Sequence, residues 1–142
     1  MYGVEGSVWL VTITTWHRAP VFQTREFAEI AQEELVRQHN RRGTRLLVYC
    51  VMPEHVHAVF QIGKVDLLRI VGSYKSFVSG RCHDAGHGGD VWQERFHDRG
   101  IRESEKMDDV IHYVVANPVD DGLVADWREW PWIGGELIET GL

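Results

Sequence analysis

The sequence holds only two cysteines, Cys50 and Cys82, too few for a disulfide framework. It has no uninterrupted apolar run near the ~20 residues that a membrane-spanning helix requires. Met1-Tyr2-Gly3-Val4-Glu5-Gly6 places no basic stretch ahead of an apolar one, so no secretory signal is expected. A cytoplasmic protein with reduced thiols is the expectation. There is no internal repeat and no low-complexity tract. An excess of positive charge is also missing: the net charge is −6, which argues against a strong nonspecific polyanion binder.

What is present is a globular composition. Hydrophobic residues make up 44% and charged residues 25%, values that exclude intrinsic disorder. The chain has 142 residues, so a single domain over 1–142 is expected, burying roughly 68% of the unfolded surface. The acidity is unevenly spread. Residues 1–50 sum to +1, residues 51–100 to 0 and residues 101–142 to −7. The first hundred residues can therefore still offer a basic surface to a specific partner.

Periodicity orders the chain. Residues 7–15 are rich in β-branched side chains and tryptophan, which predicts a strand. Phe27, Ile30, Ala31 and Leu35 fall at helical spacing within 26–38. Residues 45–52 are an apolar run of strand length, Pro53-Glu54 signals a turn, and 55–62 alternates, so this pair predicts a hairpin. Leu67, Ile70, Val71, Tyr74, Phe77 and Val78 mark a helix over 67–78. Residues 84–90 read as a glycine-rich loop, and 91–96 as a short strand. Met107, Val110, Ile111, Val114 and Val115 form one stripe of a helix over 107–115. The order β-α-β-β-α-β followed by a helix predicts an α+β, ferredoxin-like fold, an antiparallel sheet with two helices on one face. The other face is expected to be open.

His55-Val56-His57 lies inside a predicted strand, so both imidazoles project to the same side about 7 Å apart. Val56, Ala58, Phe60 and Ile62 project to the other, apolar side. Two imidazoles leaving one strand together suit a divalent metal with open positions. Two histidines on a solvated strand face are the alternative. A histidine-triad hydrolase would need a third alternating histidine, and position 59 is valine.

On the 107–115 helix, Tyr113 stands roughly 130° from the centre of the apolar stripe. Asn117 follows one turn later on the same edge. A phenol able to attack phosphorus and an amide oxygen able to complete a metal site would then lie side by side. An exposed tyrosine, and an asparagine that ends the helix before Pro118, are the alternative.

Taken together, several segments resemble a known family. They are Val11-Thr12-Ile13-Thr14-Thr15-Trp16, Arg18-Ala19-Pro20-Val21-Phe22, Met52-Pro53-Glu54-His55-Val56-His57, Tyr74-Lys75-Ser76-Phe77, Val91-Trp92-Gln93, Phe96-His97-Asp98, Ile101-Arg102-Glu103, and the run from Tyr113 through Asn117-Pro118 to Val124. In this order they are similar to the single-tyrosine HUH transposases of insertion sequences, and most of all to the REP-associated tyrosine transposases. The resemblance spans roughly residues 8 to 132. It implies a divalent metal, Mg²⁺ or Mn²⁺, on His55 and His57, with Asn117 as a third ligand. It implies Tyr113 as the nucleophile of single-strand DNA nicking and rejoining through a covalent 5′-phosphotyrosine.

The implied partner is single-stranded or hairpin DNA, bound by a monomer or a homodimer. Lys75, Arg18, Arg45 and Arg81 are candidate phosphate contacts, and His112, His97 and Asp98 are candidate bases for Tyr113. Trp92 is expected in the core, and Trp127, Trp130 and Trp132 as caps over it. The alternative function is a DNA-hairpin-binding module without catalysis.

Overall fold

The computed structural model describes residues 2–139, so positions 1 and 140–142 of the expected 1–142 domain lie outside the described residues. Five strands form one antiparallel sheet: β1 (Val8–Thr14), β2 (Arg45–Val51), β3 (His55–Gln61), β4 (His97–Ile101) and β5 (Ile133–Gly134). Their spatial order is β4-β1-β3-β2-β5. Three helices matter most to the architecture: α1 (Arg25–Gln38), α2 (Leu67–Asp84) and α3 (Met107–Val115). Two short helices follow, α4 (Asn117–Asp120) and α5 (Glu136–Glu139). This is the expected α+β arrangement, with the tyrosine helix after β4.

Strand alternation divides the core in two. Trp9, Val11 and Ile13 of β1 and Val56, Ala58 and Phe60 of β3 face α1 and α2. Leu10 of β1, Val48 and Cys50 of β2 and Val59 of β3 face the opposite way. That second face is not open, contrary to expectation. Val110, Ile111, Val114 and Val115 of α3 pack onto it, with Trp127, Trp130 and Ile133 alongside. The apolar stripe of α3 needs a partner, and the far face of β1, β2 and β3 supplies one.

Two element boundaries differ from expectation. The strand expected over 91–96 lies at 97–101 instead. Val91 and Trp92 are buried in the α1/α2 core, tied to the sheet by a single bridge between Thr15 and Trp92. β4 reads His-Asp-Arg-Gly-Ile and is a half-solvated edge strand, so it has no apolar run to announce it. α2 continues past residue 78 to Asp84, because Cys82 extends its buried stripe one turn beyond Val78. The tryptophan caps behave as expected: Trp130 Nε1 donates to the Val51 carbonyl at 2.9 Å. No described helix is long and apolar enough to cross a membrane.

Candidate active site

His55 and His57 leave β3 on the α3 side of the sheet and are both buried. They are not on a solvated face. Their ring centroids are 4.5 Å apart in an edge-on arrangement. Each has its Nδ1 engaged. His55 Nδ1 lies 2.8 Å from Glu54 Oε1, and His57 Nδ1 lies 2.9 Å from Thr12 Oγ1. Thr12 reaches His57 because β1 and β3 pair directly at that position. With Nδ1 of each ring engaged, Nε2 is the remaining nitrogen that a cation could take. Burial, and then the neighbouring His55, push His57 down to about 4, while a hydrogen bond with Asn117 pulls the other way. His57 is thus neutral at pH 7, the form that ligates.

Tyr113 is brought to this pair by the helix, within one chain. Its ring lies edge-on to His57 with centroids 5.7 Å apart, and the side chain is 58% exposed. It belongs to no apolar cluster, so the helix presents it to both the histidines and solvent. Asn117 follows without a break in helical direction. Ala116 keeps helical backbone angles, and Pro118 sits at the start of α4, where its missing N–H costs nothing. Asn117 Nδ2 donates to the Tyr113 carbonyl at 2.9 Å and to the Val114 carbonyl at 3.0 Å. Both amide hydrogens are thereby spent on α3, and the amide oxygen is left for His57 or a cation.

These residues fit a divalent cation. Two imidazole nitrogens and an amide oxygen are neutral ligands of borderline and hard character, suited to Mn²⁺ or Mg²⁺ with open positions for phosphate oxygens. Among the described residues there is no cluster of three or more His, Cys, Asp or Glu side chains that could hold a metal, so the amide is needed. Cys50 lies directly opposite His57 in the β2–β3 register, but burial and then Asp121 push its thiol up to about 12. A thiol that keeps its proton is no competitor for the site. Cys82 is also a free thiol, in the other core.

Glu54 and Thr12 were not singled out from sequence. The signal for Glu54 was its place beside His55. The signal for Thr12 emerges only once β1 is set in register with β3. The Glu54 carbonyl is in turn held by the Thr15 N–H and hydroxyl at 3.0 Å each, so the turn before the histidines is braced from β1.

The candidate phosphate contacts are dispersed. Arg18 alone of the four lies beside the histidines, with Nη2 3.7 Å from Glu54 Oε1. Arg18 and the preceding His17 both have left-handed backbone angles, φ 54° and 52°. Lys75 Nζ donates to the Gln93 and Glu94 carbonyls, tethering that segment to α2. Arg81 is paired with Glu34 and Glu33 of α1, and Arg45 with Glu136 and Gln61. Of the candidate bases, His97 lies opposite Thr12 and so shares the sheet face of His57. Asp98 faces the other way and accepts from the Tyr2 hydroxyl at 3.2 Å. His112 lines a separate cleft with Val119 and Trp127.

Comparison with known proteins places this geometry. The sequence profile of the family described as "Transposase IS200 like" matches residues 7–117, which include His55, His57, Tyr113 and Asn117. The chain is similar to the REP-associated tyrosine transposase of Escherichia coli K12, 22% identical over 131 residues, covering 92% of this chain and 78% of that protein. Its fold is similar to a solved REP-associated tyrosine transposase bound to a REP hairpin, with a TM-score of 0.77 and 21% identity over 94% of this chain and 79% of the other. The profile match takes in most of the chain, both strands of the histidine hairpin and the whole tyrosine helix, and the chain therefore belongs to the IS200-like transposases, a family of DNA-cleaving enzymes.

Proposed function

We propose that this transposase nicks and rejoins single-stranded DNA through Tyr113, on substrates that fold as hairpins. The observation that carries the reading is the meeting of Tyr113, His57 and Asn117 within one chain. A divalent cation, Mg²⁺ or Mn²⁺, held by His55, His57 and Asn117, would supply Lewis-acid charge neutralisation at the scissile phosphate.

Tyr113 Oη attacks phosphorus, forming the Oη–P bond as the P–O3′ bond breaks. The phenolic proton passes to solvent, and the departing 3′ oxygen takes one up. The strand upstream of the nick then ends in a free 3′-OH, and the downstream strand stays on Tyr113 through its 5′ phosphate. One phosphodiester has been exchanged for another, so a 3′-OH can reverse the step without ATP. Glu54, which can only accept, holds His55 through its Nδ1, Thr12 holds His57 through its Nδ1, and Asn117 fixes the last turn of α3. Tyr113 is exposed enough to meet a strand from solvent while its ring edge remains against His57. Arg18 stands where a phosphate of that strand could be met, with Lys75, Arg45 and Arg81 as outlying contacts. The whole of 1–142 acts as one domain, as a monomer or a homodimer.

The test is incubation of labelled hairpin DNA with Mg²⁺ or Mn²⁺, using wild type and Tyr113→Phe. The expected result is a metal-dependent, denaturant-resistant protein–DNA adduct that Tyr113→Phe abolishes. Binding without an adduct in either protein would point instead to a hairpin-binding module without catalysis.

A further inference from the structure

A cleft of about 440 Å³ opens beside Tyr113, between α3 and the segment that joins it to β4. Arg99, Ser104, Glu105, Lys106 and Asp109 line it together with Tyr113. Arg99 lies opposite Leu10, two residues from Thr12 on β1, so it stands on the sheet face that carries His57. Glu105 is fixed at both oxygens: Oε1 accepts from Arg99 Nη1 at 2.6 Å and Oε2 from the Arg102 backbone N–H at 2.7 Å. The remaining guanidinium N–H groups of Arg99, and the side chains of Ser104, Lys106 and Asp109, have no partner among the described residues. Nothing in the catalytic scheme uses these groups.

Their chemistry excludes a simple phosphate seat. Two cations share the cleft with two carboxylates, and the carboxylates would repel a bare anion. A nucleobase edge is the complementary ligand, since it offers acceptors to a guanidinium and amino hydrogens to a carboxylate. The covalent chemistry says which nucleotide is nearest. The one whose 5′ phosphate is joined to Tyr113 stays tethered beside this cleft throughout the reaction. We propose that the cleft receives the base of the nucleotide on the 3′ side of the break, and that Arg99 and Asp109 select it. Guanine fits best, with O6 and N7 as acceptors for Arg99 and its N2 amino group as a donor to Asp109. Thymine, which has no amino group, fits worst. This assignment rests on the nicking reading above.

The experiment measures adduct formation by the full chain on four substrates that differ only in that nucleotide. Wild type is expected to react with the guanine substrate about tenfold or more faster than with the thymine one, the discrimination of one good arginine–guanine contact. Arg99→Ala is expected to bring the two within about twofold while still forming adduct. Asp109→Ala, whose side chain makes no bond within the fold, is expected to shrink the preference too, which guards against a folding defect in Arg99→Ala. Adduct formation with a flat preference in wild type, or with the preference intact in both variants, overturns the selection role alone. No wild-type adduct on any of the four overturns the nicking reading and this inference with it.

Discussion

Thr12 and Glu54 do the positioning that the two histidines cannot do for themselves. A ligating imidazole is useful only if its other nitrogen is held, and here one strand neighbour and one sequence neighbour hold them. Glu54→Ala is therefore expected to weaken Mn²⁺ binding by about 10–100-fold, measured by calorimetric titration, with Glu54→Gln recovering part of it. His57 adds a pH signature in the metal-free protein. Its ring is held down to about 4 in the fold, against about 6.5 in the unfolded chain. Between those values the unfolded chain binds a proton that the folded chain does not, so stability rises with pH across that window and is lost as pH falls through it. The full effect is about 3 kcal/mol, read from urea unfolding at a series of pH values, and His57→Gln is expected to flatten it. Tyr113 has the opposite character. It is exposed and packs in no apolar cluster, so Tyr113→Phe is expected to shift stability by no more than about 0.5 kcal/mol while removing the adduct.

The α3–α4 junction decides whether the tyrosine and the asparagine act together. Asn117 spends both amide hydrogens on the Tyr113 and Val114 carbonyls, groups that a helix end would otherwise leave unpaired. Asn117→Asp keeps an oxygen for the cation but loses those donors. It is expected to cost about 1 kcal/mol in thermal or urea unfolding, with metal binding retained. This junction was only half legible in the sequence. The spacing of Tyr113 and Asn117 was plain, but the proline at 118 argued equally for a helix that stops short. What resolves it is a new short helix beginning at Asn117, a tertiary outcome that no local preference specifies. The histidine hairpin was fully legible, because His55 and His57 alternate with an uninterrupted apolar set. β4 was not, because an edge strand with two wet sides has no hydrophobic signature, while Val91, Trp92 and Phe96 carry one without forming a strand. The closed second face was missed for a related reason. Periodicity identified the stripe of α3 but not the surface that receives it.

Charge sets the terms on which the whole molecule meets DNA. The net charge is −6, and Lys75, Arg45 and Arg81 are already engaged by carbonyls and carboxylates of the fold. Near the histidines Arg18 is the cation left to meet a phosphate, since Arg99 and Lys106 line the cleft assigned to a base. About one phosphate contact on a single strand predicts a log–log salt slope of about −1, measured by fluorescence anisotropy. A slope of about −3 would mean that Lys75, Arg45 and Arg81 release their partners on binding. Under the proposed function, recognition with so few charge contacts would fall on the shape of the hairpin and on base edges near the break. Whether Tyr113 carries the cleaved strand is read by digesting the protein–DNA adduct and identifying the modified peptide by mass spectrometry. The expected product is a nucleotide joined through its 5′ phosphate to Tyr113, with an extendable 3′-OH on the released strand. A nucleotide on any other residue, or a 3′-phosphate linkage, would contradict it.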